Sequence, residues 1–143
     1  MNYCANTGNI TSTDNSHGTS YAGGITSNTY EILISDSYNT GSITGFDRGG
    51  LVGRNIGEGS YVRCLNTASC GYGFAKYMGR GSVIQDSMTF GITDFTSGYA
   101  TITNSSTSKP SNNSFYIETL FWSEEVWNIP TTGNPTLCWE SVE

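Results

Sequence analysis

Short stretches of alternating apolar and polar residues run along most of the chain, separated by residues that favour turns. In the stretch from Ile32 to Tyr38, for example, Ile32, Ile34 and Tyr38 fall on one face, and the order is broken by Leu33 and by Asp36. Alternation with a period of two is typical of β-strands that bury one face. Gly and Asn interrupt these stretches every few residues, so the pattern predicts many short strands joined by turns.

The strand pattern repeats. Residues 6–11 (Asn-Thr-Gly-Asn-Ile-Thr) return 33 positions later as residues 39–44, and a weaker copy follows at 66–70. A more degenerate copy occupies residues 86–92. Between the copies lies a second, glycine-rich motif, which includes Gly24, Gly50 and Gly73. Such self-similarity at intervals of 23 to 33 residues is the pattern of a repeat protein.

The repeats predict how the strands pack. No single copy can bury its own apolar face, so stacked copies must build the core. Like residues also recur in register: Ile10, Ile43 and Cys70 form one set, and Cys4, Ser37, Cys64 and Ser87 form another. We therefore predict an all-β fold, a right-handed parallel β-helix or β-solenoid of about four rungs, each about 4.8 Å from the next. The alternative is an antiparallel β-sandwich, which predicts no such ladders.

Three regions follow from this interpretation. An open end of a solenoid exposes strand edges, so a cap is required. All three tryptophans, Trp122, Trp127 and Trp139, lie near the C-terminus, with further aromatic residues around them. We expect solenoid repeats over residues 1–95, a polar loop or weak terminal rung over 96–114, and a capping segment over 115–143, with a short helix near residues 123–126.

One four-residue motif resembles a known family. Gly50, Leu51, Val52 and Gly53, preceded by Asn-Thr-Gly-Ser-Ile-Thr-Gly, resemble the GLUG repeat of bacterial surface proteins. These repeats occur in adhesin-like chains and in streptococcal IgA-specific metallopeptidases. The resemblance implies a β-solenoid module of a secreted or cell-surface protein.

The C-terminal region carries the same resemblance. Residues 122–129 and 134–139 are similar to the segment that ends GLUG arrays, so the resemblance covers residues 2–95 and 115–139. The peptidase relatives need a His-Glu-x-x-His zinc motif, which this sequence lacks. The resemblance therefore implies an adhesive or stalk role without peptidase activity.

Composition and charge exclude several classes of protein. Ser, Thr, Asn and Gly make up 69 of 143 residues and charged residues only 13%, which excludes coiled coils and charged helical bundles. The net charge is −6, and the six basic residues are scattered. We expect no nucleic-acid partner, because such binding needs a clustered positive face. No apolar run is long enough to insert into a membrane.

The N-terminus bears on the expected location. No signal peptide is visible, and Met1 falls inside a repeat. We therefore expect a fragment of a larger protein, whose neighbours are further solenoid repeats. Its extracellular location is what the resemblance and the Ser-, Thr- and Asn-rich, Lys-poor composition imply.

Candidate chemistry is sparse. Asp36, Arg63 and Asp86 occupy matching repeat positions, which predicts one charged column across the rungs. The column is either a charge ladder on a solvated face or a carboxylate pair bridged by a substrate-binding arginine. Tryptophans stack on sugar rings, so Trp122, Trp127 and Trp139 are candidate ligand-binding residues if they are exposed.

No metal or cofactor is expected. The only histidine, His17, lies in a polar loop, and the four cysteines lack the spacing of a zinc site. Two rungs separate Cys4 from Cys64, about 9.6 Å, which is beyond the reach of a disulfide. The pairing of Cys70 and Cys138 stays open.

The sequence as a whole predicts a non-catalytic adhesive or stalk module. Its partners would be host glycans or extracellular-matrix proteins. The alternatives are a carbohydrate-binding or polysaccharide-degrading β-helix domain, and a spacer that binds nothing.

Overall fold

The computed structural model describes residues 1–14 and 20–141, so His17 lies outside the described residues. The chain is predominantly β, with 40% strand and 6% helix. The first eight strands are β1 (Ala5–Asn6), β2 (Ile10–Thr11), β3 (Tyr21–Gly23), β4 (Thr26–Thr29), β5 (Ile32–Ser35), β6 (Tyr38–Asn39), β7 (Ile43–Thr44) and β8 (Asp47–Gly49). The rest of the chain forms β9 (Val52–Asn55), β10 (Gly59–Val62), β11 (Leu65–Asn66), β12 (Ala75–Met78), β13 (Ser82–Gln85), β14 (Met88–Thr89), β15 (Ala100–Thr103), helix α1 (Ser114–Glu118), β16 (Trp127–Asn128), β17 (Thr136–Leu137) and a 3-10 helix (Cys138–Ser141).

The sheets are parallel. Sheet I has the order β1-β6-β11-β14, sheet II has β5-β10-β13-β15, and sheet III has β4-β9-β12. Two smaller parallel pairs are β2-β7 and β3-β8. Among the described residues, antiparallel pairing is confined to β16 and β17. The parallel strands rule out the antiparallel sandwich and confirm the all-β prediction.

The strands pair in the register that the repeats predict. Equivalent positions on neighbouring strands are 33, then 27, then 23, then 18 residues apart. Ile10 lies opposite Ile43, and the Ile43 amide donates to the Ser69 carbonyl. In each of four copies, the strand of sheet II begins six residues before the first paired residue of sheet I. The last of these copies consists of β15 and Ser106, so residues 96–114 contribute strand pairing as well as loop.

Apolar side chains from sheets II and III meet in an interior cluster. Because side chains alternate along a strand, Cys64 points into this interior while Leu65 points out of it. The largest interior side chains have no exposed surface; they are Ile34, Leu51, Tyr61, Phe74 and Ile84.

A ladder of polar side chains lies beside this apolar interior. The Asn6 amide donates to the Asn39 side chain at 2.7 Å, Asn39 to Asn66 at 2.9 Å, and Asn66 to the Thr89 hydroxyl at 3.2 Å. Asn39, Asn66 and Thr89 are fully buried. Each asparagine also donates to the backbone carbonyl two residues ahead, at Gly8, Gly41 and Ala68. Satisfied buried amides of this kind hold the strands in one register.

The ladder explains the glycine-rich motif. A Cβ on Gly50 would lie 2.4 Å from the Asn66 side chain, so no larger residue fits there. Leu51 and Val52 point into the interior and are 0% exposed. A Cβ on Gly53 would lie 2.3 Å from the backbone of a neighbouring strand. All four positions of the motif are therefore fixed by packing.

The C-terminal segment, residues 115–140, packs on the outer face of sheet I. That face presents Tyr38, Leu65 and Met88, all buried beneath the segment. The segment contributes Tyr116, Leu120, Trp122, Trp127 and Leu137. The sequence predicts that this region caps an open end of the stacked repeats. In the structure it packs against the outer face of sheet I instead, because the apolar side chains that would otherwise be exposed lie on that face.

Helical structure is limited to short elements. The helix expected near residues 123–126 is a turn, closed by the Trp127 amide donating to the Ser123 carbonyl at 2.8 Å. The α-helix is α1, just before it in the chain. No helix in the described ranges has the length and apolar character needed to span a membrane.

Candidate functional site

Five residues with left-handed backbone conformation form what we call the corner column. They join sheet II to sheet I at equivalent positions: Tyr3 (φ 56°), Asp36 (φ 47°), Arg63 (φ 51°), Asp86 (φ 50°) and Asn104 (φ 46°). Only a few per cent of non-glycine residues adopt a positive φ, so its recurrence at every corner marks a shared turn. The three charged residues therefore lie in one column, as the repeat spacing predicts.

Asp36 and Arg63 form a two-pronged ion pair. Arg63 donates from Nε to Asp36 Oδ1 and from Nη2 to Oδ2, each at 2.7 Å. The hydrogen bond to Asp36 is the main cause that raises the pKa of Arg63, and the charge of Asp86 adds to it. Paired hydrogen bonds of this geometry are among the strongest between side chains.

Asp86 is held by neighbours as well. Its carboxylate accepts from Asn104 Nδ2 at 2.6 Å and from Gln85 Nε2 at 3.0 Å. Asp36 is 4% exposed and Asp86 8% exposed. Both acids are therefore buried, so the expectation of a charge ladder on a solvated face is wrong. Their oxygens are occupied by protein donors.

Two tryptophans of the C-terminal segment cover the column. Trp127 Nε1 donates to Asp36 Oδ1 at 3.3 Å, and Trp122 Nε1 donates to the Asp86 carbonyl at 2.7 Å. Their rings stack with centroids 4.3 Å apart. Trp122 is 2% exposed and Trp127 is 0% exposed, so neither ring can stack on a sugar. Of the three tryptophans, Trp139 is exposed.

Hydrogen bonds anchor the segment to two different copies of the repeat. Asn104 donates to the Thr119 carbonyl at 2.6 Å, and the Tyr38 hydroxyl donates to the Glu140 carboxylate. Burial, and then Glu140, raise the pKa of Tyr38. The corner column is therefore a structural seam between the sheets and the segment.

A shallow groove lies on the outer face of sheet II, away from the column. It has a volume of about 380 Å³, and its lining includes Glu31, Leu33, Glu58, Ser60 and Val83. Neither carboxylate forms a hydrogen bond or ion pair with a residue that the structure describes. The two acids immediately precede the neighbouring strands β5 and β10, at equivalent positions, so their spacing of 27 residues could have signalled this groove.

Aromatic and basic residues adjoin the sheet II groove. The Arg80 guanidinium lies 4.7 Å from the ring centroid of Tyr99, which is about half exposed. Both line a neighbouring depression that shares Gly81 with the groove. Side chains of three types, acidic, aromatic and basic, therefore follow one face of the sheet.

The cysteines are free thiols. The structure forms no disulfide among Cys4, Cys64, Cys70 and Cys138. Burial raises the pKa of Cys64 to about 12 and that of Cys70 to about 11. No cluster of three or more potential metal ligands occurs within residues 1–14 and 20–141.

No protein-family model, curated protein or solved structure matches this chain.

Replacing Arg63 with methionine should lower the free energy of unfolding by about 2 kcal/mol, because it leaves the buried Asp36 carboxylate without its charged donor. Arg63→Lys keeps the positive charge but cannot form both hydrogen bonds to Asp36, so we expect a smaller loss of unfolding free energy than in Arg63→Met. As a control, Arg80→Met removes an exposed cation and should cost less than about 1 kcal/mol. Urea titration measures all three. An Arg63→Met protein as stable as the wild type would show that the ion pair is not structural.

Proposed function

We propose that the parallel strands wind one right-handed β-solenoid of about four rungs. Two observations support this. The same left-handed corner recurs in every copy, and each copy pairs only with its sequence neighbours. Parallel crossovers are right-handed in about 98% of known cases, which supports the hand.

On this fold we propose a non-catalytic repeat module of a bacterial surface or secreted protein, with an adhesive or stalk role. The corner column carries this proposal. Its two acids are buried beside Trp122 and Trp127, Asp36 is paired with Arg63, and Asp86 accepts from Asn104 and Gln85. An enzyme needs groups that reach the reacting atoms, and these do not.

The proposed family is the GLUG-like repeats. The packing of Gly50 against the asparagine ladder gives the motif a structural reason to recur in such a fold. The extracellular location is supported by the Ser-, Thr- and Asn-rich composition and by this resemblance. Further solenoid repeats and host glycans or matrix proteins are the proposed partners.

Carbohydrate binding is the second candidate, and the sheet II groove favours it. Glu31 and Glu58 present unpaired carboxylates that can accept hydrogen bonds from sugar hydroxyls, and Leu33 and Val83 add apolar surface to the same groove. The groove follows the stacking direction of the strands. An extended glycan would therefore fit it better than a compact ligand.

An array of glycans and matrix proteins, probed with the labelled chain, tests both proposals. Specific binding that falls in the double variant Glu31→Gln, Glu58→Gln would support an adhesive role through the groove. The matched control, Asp94→Asn with Glu118→Gln, removes the same charge from exposed positions elsewhere and should bind as the wild type does. Release of new reducing ends from any bound glycan would contradict the non-catalytic proposal. An array without binding would favour the stalk role.

A further inference from the structure

A second, smaller cleft lies where the C-terminal segment meets the first copy of the repeat. It has a volume of about 320 Å³ and is lined by Tyr3, Glu125, Val126, Cys138 and Trp139. Tyr3 is 50% exposed and Trp139 is 56% exposed. Two large aromatic side chains thus stand open to solvent on one small concave surface.

The cleft is held in shape by the backbone on both sides. Tyr3 is the first member of the corner column, and its amide donates to the Ser35 carbonyl at 3.2 Å. On the other side, the Cys138 amide donates to the Val126 carbonyl at 2.9 Å. Both aromatic residues therefore project from hydrogen-bonded backbone, and little ordering is needed when a ligand binds.

Three polar groups of the cleft have no hydrogen-bond partner among the described residues. The Tyr3 hydroxyl, the Trp139 indole N–H and the Glu125 carboxylate form no hydrogen bond or ion pair with any residue that the structure describes. No Lys or Arg lines the cleft. Among the described residues that line it, the formal charge is the negative charge of Glu125.

This set of groups selects for one chemical class. The face of an aromatic ring attracts cations, Trp most strongly, and quaternary ammonium groups are bound in this way. A carboxylate adds charge attraction, and the net charge of −6 favours the approach of cations. A neutral sugar would stack on the same rings but would gain nothing from the charge.

We propose that this cleft binds a small organic cation of the quaternary ammonium class, with Tyr3 and Trp139 contacting its methyl groups and Glu125 opposing its charge. The site is separate from the sheet II groove. The inference does not depend on whether that groove binds glycans.

Titration of the chain with choline chloride, followed by calorimetry and by the Trp139 indole NMR signal, tests the proposal. Choline should bind, and its neutral isostere 3,3-dimethyl-1-butanol should bind at least tenfold more weakly, since it keeps the shape and loses the charge. Trp139→Ala and Glu125→Gln should each weaken choline binding by roughly tenfold. Phe121→Ala, which alters an exposed aromatic residue of the same segment outside the cleft, should change nothing.

Three outcomes would overturn the proposal. The first is that choline causes no change in heat or in the Trp139 signal. The second is that the isostere binds as well as choline. The third is that Glu125→Gln leaves choline affinity unchanged while its melting temperature matches the wild type. Tighter binding of methyl glucoside than of choline would assign the cleft to neutral sugars instead.

Discussion

Replacing Leu51 with aspartate should unfold the protein. Leu51 is 0% exposed and packs in the interior cluster with Ile34 and Phe74. Burying an unpaired carboxylate there costs several kcal/mol, and loss of the leucine contacts adds about 2–5 kcal/mol. A domain of this size is stable by only about 5–15 kcal/mol, so little of the folded state should remain. Circular dichroism during heating should show no cooperative transition.

Leu33→Asp is the matched control for this experiment. Leu33 lies on sheet II with its side chain 56% exposed. The same substitution there should change the free energy of unfolding by no more than about 0.5 kcal/mol. A Leu51→Asp protein that melts like the wild type would contradict the position of Leu51 in the interior.

Removing residues 115–143 should make the remaining chain aggregate. The deletion exposes Tyr38, Leu65 and Met88 on the outer face of sheet I, and each such side chain loses about 1.5–3 kcal/mol of burial. It also removes the tryptophans that cover Asp36 and Asp86. Light scattering after size-exclusion chromatography measures the result, and a soluble monomeric 1–114 fragment would contradict it.

A variant of the same fragment identifies the cause of aggregation. Changing Tyr38, Leu65 and Met88 to threonine makes the outer face of sheet I polar while keeping residues that favour strands. If the exposed face causes aggregation, this fragment should recover as a monomer. If the threonine variant aggregates like the parent fragment, the cause is the open strand edges at the end of the stacked repeats, which the sequence predicts to need a cap.

The register of the strands was readable from the sequence because like side chains recur. The pairing of Ile10 with Ile43 follows directly from the repeat offsets, and so do the equivalent positions of the small residues Ser37 and Cys64, just before the paired strands β6 and β11. The asparagines of the ladder also recur in the sequence, but Asn-Thr-Gly is typical of turns and by itself predicts only a turn. Local propensity does not reveal that the amide of Asn66 points inward.

The surroundings of the charged column could not be predicted in the same way. Spacing placed Asp36 beside Arg63, but their burial depends on Trp127, which is 91 residues away from Asp36 in sequence. No periodic pattern links the C-terminal segment to sheet I, so the sequence predicts a cap without showing which of its tryptophans are buried. Tertiary packing, rather than local pattern, decides which aromatic residues remain open to ligands.

The constant six-residue spacing between sheet II and sheet I has a practical consequence. While the copies shrink from 33 to 18 residues, the strand–corner–strand portion keeps its length. Most of the length variation is therefore absorbed on the opposite side of each copy, between sheet I and the next strand of sheet III. A guest peptide grafted there should be displayed without disturbing the corners, so the chain offers a natural scaffold for presenting foreign epitopes.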